Sequence, residues 1–372
     1  MKWIDRQDAL DRALDTVAAQ PVVAVDTEAD SLHSYFDKVC LVQISAAQDD
    51  FVVDPLARID LGRFGQILGD PATTKILHGA DYDLRILNRD FGFTISNLVD
   101  TMICAQLLGY EAFGLAALLE RHFNVKLNKT HQRADWAMRP LPPDMLDYAA
   151  MDTRFLIPLA EKLRGELTAM GRWEWALEEF TRLETIRFRE SAEDAETWRK
   201  LKNIGTLDRR SLAILRDLHA WRDHLARSAD RPPFKIIGND ALVDVAREKP
   251  QDGGALGKIK AVSTYHRNRY AGTLLQIVRA AMALPETELP ERNEPKPWLR
   301  DKALENRINQ LKRVRDKVAV ELKIDAGLLA PRHVLAAIAT NGSLDDIPAM
   351  RKWQKEVLGE GLRKVLAPAS AP

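Results

Sequence analysis

The chain is poor in cysteine, in long apolar runs and in net charge. Only two of its 372 residues are cysteines, Cys40 and Cys104, and both lie in apolar segments. Two thiols build neither a disulfide framework nor a four-ligand zinc site, so buried thiols are the expectation. No stretch approaches the ~18 apolar residues of a membrane span. The opening residues, MKWIDRQDALDR, lack the apolar run of a secretory signal. These absences point to the cytoplasm, with no membrane contact. Lys plus Arg and Asp plus Glu both number 54, a formal charge of zero. Nucleic-acid binders often carry a basic excess. An acidic metal site and a basic face cancel in the total, however, so distribution matters more than the sum.

What is present is ordinary globular material. The length predicts two or three domains, and 46% hydrophobic with 29% charged residues leaves ample core. The first half reads as α/β. Residues 21–26 (PVVAVD), 39–45 (VCLVQIS) and 51–54 (FVVD) are apolar runs with no helix between them, which predicts an antiparallel meander. A short helix over Leu61–Leu68, a strand at Lys75–Leu77, a helix opening at Asp83–Asn88 and a strand at Ile95–Val99 follow. Residues 102–108 and 115–122 read as helices, so the sheet is mixed. Residues 128–143 read as a loop, and Pro143–Arg164 as one helix.

The strand signal ends near residue 155. Residues 156–200 show helical periodicity with dense charge. Two further segments, 207–284 and 296–369, are helical throughout and flank the linker PETELPERNEPKP. Arg222-Asp223 recurs as Arg315-Asp316, and Ala241-Leu242-Val243 faces Val334-Leu335-Ala336 at the same offset of 93 residues. A duplicated helical module is one explanation, and chance similarity between amphipathic helices is the other.

Three stations of carboxylates carry the chemistry. Asp26 and Glu28, in VAVDTEADS, stand at i and i+2 of a strand and so share a face. Two carboxylates side by side after an apolar run are costly unless a cation neutralises them; an acidic turn capping the strand is the alternative. In HGADYDLRIL, Asp81 and Asp83 are both candidates, and capping of the helix is the alternative role for either. In LDYAAMDTRFL, Tyr148 and Asp152 lie one helical turn apart. A phenol beside a metal-held carboxylate can orient a water, although a surface pair is equally compatible with that spacing. Ligands made only of oxygen suit Mg²⁺ or Mn²⁺ rather than zinc. Two such ions are the known arrangement for nucleotidyl hydrolysis.

On these motifs the chain resembles ribonuclease D, within the DEDD superfamily of exonucleases. VAVDTEADS, HGADYDL and YAAMD look like the three exonuclease motifs, and the stretch GLAALLERHFNVKLNKTHQRADWAMRPLPPDMLDYAAMD is similar over nearly every position. The resemblance implies an RNase H-like mixed-sheet exonuclease domain over residues 1–200, with a helical extension from about 165. It implies that Asp26, Glu28, Asp83 and Asp152 hold two divalent cations, Mg²⁺ or Mn²⁺. Asp83 is preferred over Asp81 because the family's acid directly precedes a leucine. Tyr148 takes the water-orienting place; the branch that uses histidine five residues before the last aspartate is excluded by Asp147. Residues 207–284 and, more divergently, 296–369 are similar to HRDC domains. Implied is a 3′→5′ exoribonuclease that trims transfer RNA precursors and other small stable RNAs, releases nucleoside 5′-monophosphates and needs no obligate protein partner. A DNA-directed exonuclease and an inactive nucleic-acid-binding protein are the rivals.

Four residues near the third motif are candidates for substrate contact. Lys129, Arg133 and Arg139 offer cations to phosphates, and Trp136 offers a ring to a base. His78 reads as a packed residue at a strand end rather than a ligand. Residues 296–323 hold nine Lys or Arg against four acids, a modest surplus that can form a basic helix face.

Overall fold

The computed structural model describes residues 1–128, 130–189, 196–292, 301–344 and 347–367. They divide into two compact units. The first draws on residues 1–29, 39–188 and 300–372, and the second on residues 30–38 and 189–299.

The first unit is built on a six-stranded sheet. Its elements begin with β1 (Lys2–Ile4), α1 (Gln7–Ala18), β2 (Val22–Ala29), β3 (Val39–Ala46), β4 (Asp49–Val53) and α2 (Gly62–Gly69). They continue with β5 (Thr74–Leu77), α3 (Asp81–Phe91), β6 (Leu98–Asp100), α4 (Thr101–Leu107), α5 (Leu115–Phe123), α6 (Pro143–Arg154), α7 (Leu156–Ala169) and α8 (Trp173–Glu184). The strand order is β1-β4-β3-β2-β5-β6. The central pairs β2–β3 and β3–β4 are antiparallel, and β1–β4, β2–β5 and β5–β6 are parallel. The expected meander and mixed sheet are both present. β3 is buried along its whole length. Covered on both faces, it reads as a continuous apolar run rather than an alternating one.

Three features differ from the sequence expectation. Sequence reading passed over β1 and α1, although Leu10, Ala13, Leu14 and Val17 of α1 are buried at helical spacing. β2 runs to Ala29, so Asp26 lies inside the second strand rather than at the end of the first. The single helix expected over Pro143–Arg164 is two helices meeting at Phe155. Pro158 explains the break. It has no N–H to donate, and its ring clashes with the carbonyl four residues back, at Arg154, unless it sits in the first turn of a new helix.

The second unit contains α9 (Arg209–Ser228), α10 (Pro233–Ile236), α11 (Asn239–Glu248), α12 (Gly253–Gly257) and α13 (Thr264–Met282). Leu215, Leu218, Leu242, Val262 and Leu274 form its own core. Asp208 caps α9 by accepting from the Ser211 N–H, and Ser263 caps α13 by accepting from the His266 N–H.

The last helices, α14 (Lys302–Leu322), α15 (Ala326–Leu329), α16 (Arg332–Asn341) and α17 (Lys352–Leu366), belong to the first unit. Leu311, Ile338, Trp353 and Leu358 share one continuous core with the sheet. Buried Glu179 of α8 accepts from Trp353 Nε1 at 3.1 Å and pairs with Arg351 at 3.0 Å. Gly109 meets Lys323 so closely that an added Cβ would fall 1.9 Å from the Lys323 carbonyl oxygen, and its φ of +83° also favours glycine. The two helical segments share a further detail. Buried Arg222 donates to the Ile237 carbonyl at 3.2 Å, and buried Arg315 donates to the Ala330 carbonyl at 2.8 Å. Each arginine reaches 15 residues ahead.

Candidate active site

The carboxylates converge because β2 outruns its neighbour. β5 pairs with β2 only from Val22 to Ala24. Beyond that point, the first turn of α3 comes alongside. The Thr27 hydroxyl donates to the Asp83 carboxylate, which is buried at 6% exposure. Asp81 turns the other way and pairs on the surface with Arg85 at 2.7 Å. The structure therefore separates the two candidates of the second motif, and neither caps α3, whose cap position is Ala80. α3 is fixed from below by Asp100. Its carboxylate accepts from the N–H groups of Gly79 and Ala80 at 3.0 and 2.8 Å, and from that of Met102 at 2.8 Å.

The third station comes from α6, which packs on β2, β3 and β4. Ala149 and Ala150 lie fully buried at this contact, and small side chains let the helix approach the sheet. Ser45 Oγ meets Thr153 Oγ1 at 2.7 Å beneath the helix. Asp26, Glu28 and Asp152 each offer an oxygen within 4.8 Å of the others. Asp83 stands beside this triple, tied to Thr27.

Burial raises all four acids, and repulsion from the other cluster acids adds to the shifts of Asp26 and Glu28. Burial, then the charges of Asp83, Asp152 and Glu28, hold Asp26 well above the usual carboxylate range. Burial followed by Asp152 and Asp83 pushes Glu28 to about 9. Burial raises Asp83 and Asp152 to about 7 each. It also raises the Tyr148 phenol, with Asp152, Glu28 and Asp26 adding to the effect. Groups this hard to ionise together need a cation to hold their charge. An all-oxygen donor set fits a hard divalent ion, so the cluster has the makeup of a divalent-cation site.

Curated relatives match nearly end to end. Ribonuclease D of Acidiphilium cryptum is 31% identical over 360 residues, covering 96% of this chain and 90% of that protein. Ribonuclease D of Escherichia coli is 32% identical, covering 98% of each. The chain belongs to the ribonuclease D family. Its activity is accordingly hydrolytic, 3′→5′ and exoribonucleolytic. A 3′-5′ exonuclease family profile matches residues 1–168, and an HRDC domain profile matches residues 211–278. The crystal structure of E. coli RNase D aligns with a TM-score of 0.71 at 29% identity, covering 98% of each chain. The catalytic core of RRP6 from Trypanosoma brucei aligns at 0.68 with 30% identity, covering 76% of this chain and 80% of that one.

The substrate-contact candidates fare differently. Lys129 lies outside the described residues. Arg133 is exposed in the loop before α6. Trp136 requires a correction. It is 1% exposed, packed among Cys40, Leu41, Val52 and Met145, and its ring lies 5.9 Å from that of Tyr148. A ring closed off on both faces cannot stack on a base. Arg139 also requires correction. Its guanidinium grips Asp54 at 2.7 and 2.6 Å and donates to the carbonyls of Trp136, Met138 and Cys40. Its donors are spent inside the protein, holding the loop to the sheet, which leaves little for a phosphate. His78 is packed, with Nδ1 2.9 Å from the Thr101 hydroxyl, and burial lowers its pKa.

Sequence reading missed several supporting residues. Thr27 sits between the two acids of the first motif and, facing the other way, reaches Asp83. His131 lies edge-on to Tyr148, with ring centroids 5.8 Å apart, and its Nε2 is 3.1 Å from Asp144. Among the helices of the described residues, none is long and apolar enough to cross a membrane.

Proposed function

We propose that Asp26, Glu28, Asp83 and Asp152 hold two divalent cations, Mg²⁺ or Mn²⁺, and that this site removes 3′-terminal nucleotides from transfer RNA precursors and other small stable RNAs. The observation that carries it is the convergence of Asp26, Glu28 and Asp152 oxygens within 4.8 Å, with buried Asp83 alongside. Bound there, divalent cations lower the pKa of a water and stabilise charge on the leaving oxygen.

The chain's own residues set the geometry. Tyr148, its pKa raised by burial and acidic neighbours, keeps its proton near neutral pH. It serves as a hydrogen-bonding post for the attacking water rather than as a base. Its ring is fixed between His131 and Trp136. Water attacks the terminal phosphorus, the bond to the 3′-oxygen breaks, and that oxygen leaves with a proton. The products are a nucleoside 5′-monophosphate and an RNA one nucleotide shorter. Asp100, through the Gly79-Ala80 turn, holds α3 where Asp83 faces β2. Arg133, exposed before α6, is the remaining described candidate for a backbone phosphate contact. We also place the activity in the cytoplasm, a reading supported by Cys40 and Cys104 both being buried thiols.

A 3′-extended transfer RNA precursor and a DNA of matched sequence, incubated with and without EDTA, test this reading. Stepwise shortening of the RNA, abolished by EDTA, is expected. Equal or faster loss of the DNA would move the substrate class, and shortening that survives EDTA would remove the cations.

A further inference from the structure

Gln43 is the polar residue of β3 whose placement the catalytic reading leaves unexplained. It is fully buried, and among the described residues neither its amide nitrogen nor its amide oxygen has a hydrogen-bond partner. An unpaired buried amide costs on the order of 1–3 kcal/mol, and such a group in a well-packed core calls for an explanation. An apolar residue would fill this strand position at less cost, as Leu41 and Val42 do nearby.

Its surroundings supply a candidate partner. In the antiparallel register of β2 and β3, Gln43 stands directly opposite Asp26. Opposed residues share a face, with Cβ atoms ~4.5–5.5 Å apart, a span that a glutamine carboxamide covers. The face is the one turned to α6. Gln43 shares it with Ser45, two residues on, and Ser45 meets Thr153 of α6 at 2.7 Å. Asp152 is the neighbouring residue on that helix. On the far side, β4 offers only the aliphatic Val52 opposite Gln43. The amide therefore lies under the helix that carries Asp152 and beside the strand that carries Asp26.

We propose that Gln43 is a positioning residue for the acidic cluster: its carboxamide N–H donates to the Asp26 carboxylate when that carboxylate holds a cation. A carboxylate offers about four lone-pair sites, so one oxygen can ligate while another accepts from an amide. Such a donor fixes the carboxylate's orientation, and losing an outer partner of a metal ligand typically weakens metal binding by about 10–100-fold. The inference rests on the cluster being a cation site.

The test is Gln43→Leu in the full chain, which removes the amide and keeps comparable bulk. Melting temperature in EDTA, the Mn²⁺ dissociation constant by calorimetry, and turnover at saturating Mn²⁺ are measured together. Expected is a melting temperature unchanged or raised, with Mn²⁺ binding at least tenfold weaker. A lowered melting temperature with Mn²⁺ affinity within twofold of wild type makes the glutamine merely structural and overturns the proposal. Gln43→Met repeats the comparison if Gln43→Leu does not fold, and failure of both to fold overturns it as well. Wild type and Asp26→Asn are run alongside. Should wild type bind no Mn²⁺, the cation site itself falls and the proposal with it. Should wild type bind and Asp26→Asn not, while Gln43→Leu binds normally, only the role of Gln43 falls.

Discussion

Replacing Glu28 with glutamine should stabilise the cation-free protein at pH 8 and leave it nearly unchanged at pH 4.5. Burial and the charges of Asp152 and Asp83 raise the folded-state pKa of Glu28 from 4.5 to about 9. A carboxyl whose folded pKa is raised contributes its full stability below the unfolded value and loses it as pH climbs toward the folded one. At about 1.36 kcal/mol per pH unit, the 3.5 units between 4.5 and pH 8 amount to at most about 5 kcal/mol. Glutamine carries no charge to repel its neighbours, so the variant escapes that loss. For a unit of this size, 1 kcal/mol moves the melting temperature by ~2–4 °C, so a gain on the order of 10 °C is expected. Thermal melts in EDTA from pH 4.5 to 9, wild type beside Glu28→Gln, read it directly. Adding Mn²⁺ should reverse the order, because bound cation stabilises only the protein that binds it. A wild-type melting temperature that stays flat or rises from pH 5 to 8, with no advantage for the variant, would refute the electrostatic reasoning.

Other positions give independent expectations. Tyr148→Phe should slow turnover by about 100–1,000-fold, the scale of losing one positioned hydrogen-bond donor at the reacting centre, with Mn²⁺ affinity unchanged in calorimetry; unchanged turnover removes the phenol from the reaction. Glu179→Ala should cost about 3–5 kcal/mol in denaturant unfolding, because it strands Arg351 and the Trp353 N–H at a buried site; a loss under 1 kcal/mol contradicts the docking of α17 on α8. Arg139→Ala should lower the melting temperature while leaving the salt dependence of RNA binding intact, since its guanidinium is occupied by Asp54 and three carbonyls. A slope reduced by about 1 would instead make it a phosphate contact.

Much of this architecture is legible in the residues. The strands of the meander announce themselves because β3 is covered on both faces and β2 and β4 are short valine-rich runs. Asp26 and Glu28 stand out because carboxylates rarely follow an apolar run without a reason, and Asp83 and Asp152 stand out by the likeness of HGADYDL and YAAMD to the family's motifs. What escaped was set by tertiary context. β1 is three residues long and exists through its pairing with β4, which no local pattern announces. Trp136 and Arg139 have the composition of a binding loop, yet one fills a small core and the other clamps Asp54. A ring or a guanidinium declares its chemistry but not which side of the chain it faces. Thr27 is visible as a polar residue in a strand, but its partner on α3 follows from how that helix packs beside β2. The break at Phe155 was readable from Pro158 and the carbonyl it would strike.

The most direct measurement is the anomalous scattering of a crystal soaked in Mn²⁺ with a short RNA bound. Two manganese peaks touching oxygens of Asp26, Glu28, Asp83 and Asp152 are expected, with Tyr148 facing the terminal phosphate. Carboxylates left without manganese while RNA occupies the cleft would contradict the cation-borne chemistry assigned to them.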